Sequence, residues 1–330
     1  MYKQRMIMTK TPLRITFVGG GTDLPNYYKN HGPGAVLSAA INKYIHIVVN
    51  KKFDSHIRVS YSKTEIVDSV DKIQHPTVRE SLRLLGIEGG VEIVSISDIP
   101  SGGTGLGSSS SFIVGLLNAL HAWLGEYVSP KELAEEAVKI ERGILKEPGG
   151  KQDQYMAAYG GLDLMEFNAD ENVVMKPVIM KEEDRHGLKE HLMLMYTGIQ
   201  RSSTELQAKQ SSAVTQHTEK YEQMAGLAHE LFESMCNGRW RATGAMLDKN
   251  WRLKRQLGDG ITHSRIDGLY DLALKNGAEG GKLIGAGGGG FLLLFAPPDK
   301  HDKIRRALSD LREEPFEFEA LGSRVVYVGE

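Results

Sequence analysis

The chain has 330 residues, enough for two cores at the usual roughly 100–200 residues per domain. Apolar residues make up 41% and charged residues 25%, the balance of a globular protein, and a net charge of −2 leaves no electrostatic footprint for nucleic acid or an anionic membrane. The single cysteine, Cys236, excludes an internal disulfide and points to a reducing compartment. Met1–Lys10 is basic without an apolar signal core, and no apolar run reaches bilayer-spanning length, so the expected location is the cytoplasm and the expected partner a small molecule. Whether the protein forms a homodimer stays open at this level.

Thr11–Val18 reads as a strand in which Arg14 interrupts an apolar run. Alternation alone allows that arginine to face solvent. The strand ends in Gly19-Gly20-Gly21-Thr22-Asp23-Leu24-Pro25, where Asp23 also suits an Asx turn ahead of the proline. Ala35–Asn50, rich in Val and Ile, predicts strand structure with His56–Tyr61 beside it, and Thr77–Leu85 a short amphipathic helix.

Strand Gly90–Ser97 then leads into Pro100-Ser101-Gly102-Gly103-Thr104-Gly105-Leu106-Gly107-Ser108-Ser109-Ser110-Ser111, followed at once by the apolar, helix-like run Phe112–Leu124. Glycines let the backbone approach a ligand closely, and the unpaired N–H groups of a helix's first turn favour an anion, so this stretch predicts a phosphate cradle. It is not a P-loop, because Ser108 stands where the lysine belongs, nor a dinucleotide fingerprint, which would need glycine at 108. A flexible Gly/Ser linker is the plain alternative. The strand-loop-helix context argues against it.

A second helix, Pro130–Lys146, opens with Ser129 as N-cap and Glu132 completing a capping box. At about 100° per residue, Glu141 falls in the middle of its apolar arc. A buried carboxylate calls for a cation, either a metal ion or an arginine. Next comes Gly149-Gly150-Lys151-Gln152-Asp153-Gln154, in which Asp153 reads equally well as a helix cap. A mixed strand region spans Gly161–Met180, and the domain boundary is placed near residue 190.

The polar segment Arg201–Gln216 reads as a lid, with Arg201 and Lys209 as candidates for an anionic group or simply as solvated charges. Three helices follow, at about Thr215–Asn237, Trp240–Leu257 and Ser264–Asn276. The charges of Arg239–Arg255 read as the solvated face opposite a stripe of Trp240, Leu247 and Trp251. Gly285–Gly290 satisfies G-x-G-x-x-G, but the apolar Phe291–Phe295 after it reads as a strand rather than the helix a dinucleotide site needs. A last strand is expected at Arg324–Val328. Strands followed by helices in each half argue an α+β fold.

Three stretches together, Lys10–Tyr27, Pro100–Ser111 and Lys282–Leu294, resemble the three motifs of the GHMP small-molecule kinases across nearly the whole chain. The resemblance implies two domains, residues 1–190 like ribosomal protein S5 domain 2 and 191–330 ferredoxin-like, and an ATP- and Mg²⁺-dependent kinase. By the same resemblance Pro100–Ser110 binds ATP, Ser109 and Glu141 hold Mg²⁺ with Ser108 as alternate, and Asp153 orients or deprotonates the acceptor hydroxyl beside Arg14. The acceptor would lie against Gly20, Gly21, Thr22, Asp23, Gly150, Lys151, Gly287, Gly288, Gly289 and Arg201. The G-G-G-T-D turn resembles that of heptose 7-phosphate kinases and fucokinases more than that of galactokinases. It implies phosphorylation of an anomeric hydroxyl on a sugar already phosphorylated at its far end. Catalytically silent sensors share the fold, and retention of Arg14, Glu141 and Asp153 weighs against that reading.

Overall fold

The computed structural model describes residues 6–100, 103–200 and 203–329. Ser101, Gly102 and Arg201, three of the expected ligand contacts, lie outside the described residues.

The first sheet is built on two long neighbours, β1 (Ile7–Val18) and β2 (Gly34–Lys51), antiparallel along nearly their whole length. β3 (Ile57–Ser60) and β4 (Thr64–Val67) form a hairpin, β5 (Val91–Ser97) delivers the cradle, and β6 (Leu162–Phe167) pairs with β7 (Val173–Pro177). β2 is long enough to serve two partners on its far edge: residues 34–39 pair with β6 and residues 45–51 with β5. The sheet therefore forks where the cradle begins. The β3–β5 pairing is parallel and the rest of the sheet antiparallel, as an α+β fold requires.

The second sheet contains β8 (Leu192–Tyr196), β9 (Gly280–Leu283), β10 (Phe291–Phe295) and β11 (Arg312–Glu313) in the order β11-β8-β10-β9, all antiparallel. The expected last strand forms as β12 (Arg324–Val328), but it pairs with β1. The end of the chain thus closes the sheet that its beginning started.

Helix Ser108–Leu124 packs across β1 and β2. Contact is close because Gly115 faces Thr11, where a Cβ would lie 2.6 Å from the threonine hydroxyl, and Thr9 Oγ1 donates to the Gly115 carbonyl at 2.9 Å. The Ser129/Glu132 capping box forms as read, and helix Pro130–Val138 runs on into a wide π turn, Lys139–Ile144. Helices Gln152–Tyr159 and Glu182–Glu190, not expected from the sequence, fill the stretches on either side of the β6–β7 hairpin. The polar segment contains helix Ser203–Ser212, anchored by buried Leu206 and Gln210. Helix Thr218–Cys236 lies on β2 and helix Thr243–Lys254 on β9. Among the described residues no helix is long and apolar enough to cross a membrane.

Candidate active site

The cradle is shaped by backbone that only glycine adopts readily. Gly103, Gly105 and Gly107 all have positive φ, and Gly107 caps helix Ser108–Leu124 with no side chain satisfying the first-turn amides. Those amides and the positive end of the helix dipole suit an anion. The C-terminal glycine turn presses on this loop: a Cβ on Gly105 would lie 2.4 Å from the Ile284 carbonyl, and one on Gly290 2.4 Å from that of Thr104. The hydroxyl of Ser108 is buried without a partner among the described residues, beside a cavity of about 730 Å³. An orphan donor at a helix start and a cradle that side chains would fill both fit a phosphate chain. The far end of the cavity is aromatic, with Tyr61 edge-on to His75 at 4.8 Å and His75 stacked on Phe112 at 5.0 Å.

Arg14 is 5% exposed, so the solvent-facing alternative is wrong. Both faces of β1 are covered here, and alternation cannot say which side is wet. Its backbone N–H donates to the Leu106 carbonyl at 3.0 Å, and its Nη1 to the Gly105 carbonyl. Nε and Nη2 grip the Asp153 carboxylate at 2.8 and 2.7 Å. Asp153 lies in the first turn of helix Gln152–Tyr159 and caps nothing, since Lys151 holds the cap position. A Cβ on Gly107 would stand 3.3 Å from Arg14 Cγ and 3.5 Å from Asp153 Cγ. The cradle's last glycine leaves room for this pair.

Glu141 is 1% exposed and sits on the π turn. Its carboxylate accepts from Ser109 at 2.8 Å, Ser110 at 3.1 Å and the Gln154 amide. No arginine pairs with it among the described residues. Neighbouring Arg142 instead donates to the carbonyls of Glu147, Pro148 and Gly150. Ser109 Oγ and Glu141 Oε1 are separated by 2.8 Å, near enough for both oxygens to reach one small hard cation with metal–oxygen bonds of about 2.1 Å. No cluster of three acidic or histidine ligands exists among the described residues. Mg²⁺ needs none, because it keeps waters and takes substrate phosphates. The donor set fits that ion.

Arg14, Arg142, Asp153, Gly285 and Ala286 line both this cavity and a smaller pocket on the side of the first turn. Gly20, Gly21, Asp23 and Gly150 line the smaller pocket. Asp23 accepts from the Gly21 and Gln152 amides at 3.0 and 3.1 Å and from the Gln152 side chain at 3.2 Å; the Asx turn does not form, because the residue two positions on is Pro25, which has no N–H to donate. Burial raises its pKa, the nearby Asp153 charge adds to the rise, and backbone donors oppose it. Gly150 is required: a Cβ there would fall 1.8 Å from Asp23 Oδ2.

Several expected contacts take other places. Thr22 is fully buried and exchanges hydrogen bonds with Ala35 across the turn, at 2.9 Å each way. Lys151 pairs with Glu171 and lies over the Tyr28 ring at 4.9 Å. It lines neither cavity, and its ammonium holds the Glu171 carboxyl down to about 2 against the opposing effect of burial. Gly287 and Gly289 line the larger, cradle-side cavity, while Gly288 donates to the Ile261 carbonyl at 2.9 Å and lines neither. Lys209 lines a separate surface cleft.

The pocket's two buried lysines went unread in the sequence. Lys254, 4% exposed, and Lys282, 1% exposed, both line the smaller pocket. Burial, with Arg14 adding to it, pulls Lys254 down to about 8 against the pull of Asp23 and Asp153. Burial pushes Lys282 well below its ordinary value, with Lys254 and Arg14 reinforcing the effect. The signal was present: Leu247, Trp251 and Lys254 recur at i, i+4 and i+7 on one helical stripe. The solvated-face reading of Arg239–Arg255 is wrong for this lysine.

Two glycine loops, an uncapped helix start and a buried arginine–aspartate pair between two pockets define an enzyme that transfers a phosphoryl group between a nucleotide and a small molecule. Models of the GHMP kinases N terminal domain and the GHMP kinases C terminal match residues 71–161 and 231–313. A D-glycero-alpha-D-manno-heptose 7-phosphate kinase of Campylobacter jejuni is 32% identical over 92% of this chain and 93% of its own. An L-fucokinase/L-fucose-1-P guanylyltransferase of Bacteroides fragilis is 26% identical over 96% of this chain, which spans 37% of that longer protein. The crystal structure of a D-glycero-D-manno-heptose 1-phosphate kinase from Bacteroides thetaiotaomicron superposes with a TM-score of 0.81 at 24% identity, covering 98% of this chain and 100% of the other. A putative sugar kinase from Campylobacter jejuni gives 0.77 at 29% identity, covering 99% and 100%. The chain belongs to the GHMP kinase family and is an ATP-dependent phosphotransferase with the family's two-domain α+β architecture.

Proposed function

We propose that the protein transfers the γ-phosphoryl group of ATP to the anomeric hydroxyl of D-glycero-D-manno-heptose 7-phosphate, giving the 1,7-bisphosphate. The observation that carries the kinase mechanism is the Arg14–Asp153 pair, which borders both the cradle cavity and the smaller pocket. The heptose assignment rests on the relative from Campylobacter jejuni.

The cradle amides and the Ser108 hydroxyl bind the nucleotide's phosphates. Ser109 and Glu141 would hold Mg²⁺, which neutralises phosphate charge when bound. Asp153 accepts a hydrogen bond from the acceptor hydroxyl and takes its proton as the new P–O bond forms and the bond to the departing ADP oxygen breaks. Arg14 fixes the carboxylate through its fork, and its permanent charge beside the cradle stabilises charge on the transferring group. Asp23, Gln152 and the backbone of Gly20 and Gly21 border the sugar.

The test is kcat/KM with ATP for heptose 7-phosphate beside free heptose, mannose 6-phosphate, galactose and fucose. Heptose 7-phosphate should be the best acceptor, with a phosphate ester at carbon 1 as product by NMR. A free hexose as best substrate would remove the heptose assignment and leave the kinase.

A further inference from the structure

Six charged side chains line the smaller pocket: Arg14, Arg142, Lys254 and Lys282 against Asp23 and Asp153. Two of the cations are already committed, Arg14 to Asp153 and Arg142 to three backbone carbonyls. Among the described residues Lys254 has one donor bond, to the Gly285 carbonyl at 2.6 Å. Lys282 sits in the middle of β9 with no hydrogen-bond or ion-pair partner among the described residues. Two nearly buried lysine amines lining one small pocket, the first disfavouring protonation of the second, are a costly arrangement for a protein to keep without a compensating anion.

The nucleotide does not account for them. Neither lysine lines the cradle cavity, and both line the acceptor pocket. With both lysines protonated, as a bound anion would favour, the pocket carries an excess of two positive charges, which matches the roughly −1.5 to −2 charge of a phosphate monoester at neutral pH. Lysine ammoniums, compact and with three donors each, suit such a group as point charges. The other cation near the first turn, Lys151, is consumed by Glu171.

We propose that Lys254 and Lys282 form the subsite that receives a phosphate monoester already carried by the acceptor, so that they decide between phosphorylated and free sugars. This rests on the kinase reading above and assigns the residues that read its substrate. No bond changes at the subsite. It holds the acceptor's own phosphate while the hydroxyl at Asp153 reacts.

The experiment uses the full-length protein and the variants Lys282→Met, Lys282→Gln and Lys254→Met, each measured for kcat/KM with heptose 7-phosphate and with free heptose. Removing one partner of a buried charge pair costs about 2–5 kcal/mol in binding, so the preference for the phosphorylated acceptor should fall by roughly 10²-fold in each variant. Lys282→Met removes an unpaired buried charge and should not lower the unfolding midpoint; the glutamine variant stands in if it does. In the wild type, kcat/KM for the phosphorylated acceptor should also fall as pH rises through about 8, where Lys254 loses its proton. Burial and Arg14 favour that loss and Asp23 and Asp153 oppose it; Lys282 is the other cation of the pocket beside Arg142, and the limb should vanish in Lys254→Met.

An unchanged preference, with both substrates falling together, would mean that the lysines act on the transferred phosphoryl group, and the proposal would fail while the heptose reading stood. A different phosphorylated sugar as best substrate, with its preference lost in the variants, would end the heptose reading and keep the subsite. A wild type that prefers a free sugar would overturn both.

Discussion

At the scale of the residue, the chemistry depends on carboxylates that solvent cannot reach freely and that are nevertheless partnered. Asp153 has its two oxygens in the Arg14 fork, and its side chain retains 19% exposure toward the cavities. Asp153→Asn keeps the shape and removes the proton acceptor. Loss of a general base costs about 10²–10⁴-fold, so kcat should drop by that much while ATP binding, followed by calorimetry, is retained; a fall of less than threefold would leave Asp153 as a scaffold residue. Glu141→Gln replaces one acceptor oxygen with a donor that faces the hydroxyls of Ser109 and Ser110 and the Gln154 amide. Even residues that only support a metal ligand change affinity by about 10–100-fold. The magnesium concentration for half-maximal rate should therefore rise at least tenfold, and an unaltered magnesium dependence would take Glu141 out of the metal site.

At the scale of the element, the site is made where regular structure gives way. The π turn Lys139–Ile144 widens the helix, with Leu145 donating to the Ile140 carbonyl five residues back, and it carries Glu141 to the serines of the cradle. Such turns recur at functional positions because they shift side chains off the regular helical stripe. The two glycine loops touch backbone to backbone, so methyl groups there act on binding as well as on stability. Gly105→Ala meets both a φ of +79° and the Ile284 carbonyl at 2.4 Å. It should raise the KM for ATP well above its effect on acceptor KM and lower the melting temperature. Gly226, inside helix Thr218–Cys236 with nothing within 4 Å of its would-be Cβ, is the control. Alanine there should stabilise by about 0.5–1 kcal/mol. If both substitutions behaved alike, the close approach of the loops would have no energetic meaning.

At the scale of the whole molecule, the two sheets share their apolar cores. One cluster runs from Ile7 and Leu37 on the first sheet to Leu194 and Phe295 on the second, and another joins Val36 and Phe167 to Met195 and Leu292. β12, at the far end of the sequence, is hydrogen-bonded to β1. A fragment of residues 1–190 would lose that strand and leave both clusters open. It should show no cooperative thermal transition, whereas the full chain should; a fragment that melts cooperatively with native-like circular dichroism would show that the first sheet is self-sufficient.

Features that depend on local backbone and periodicity can be read from the residues alone. The cradle, the capping box at Ser129, the strand after Gly290 and the isolated Glu141 are all legible because glycine conformations and helical spacing are properties of neighbouring residues. Helix Gln152–Tyr159 was hidden because its eight residues carry almost no amphipathic contrast, and β12 was found without its partner because pairing has no local signature. The partners of the charges were decided only in three dimensions. Arg14 meets an aspartate 139 positions away, Lys151 beside that aspartate turns to Glu171, and Lys254 and Lys282 meet in one pocket from two distant segments. A charge's environment is the sum of the surfaces packed around it, and those surfaces come together only when the sheets do.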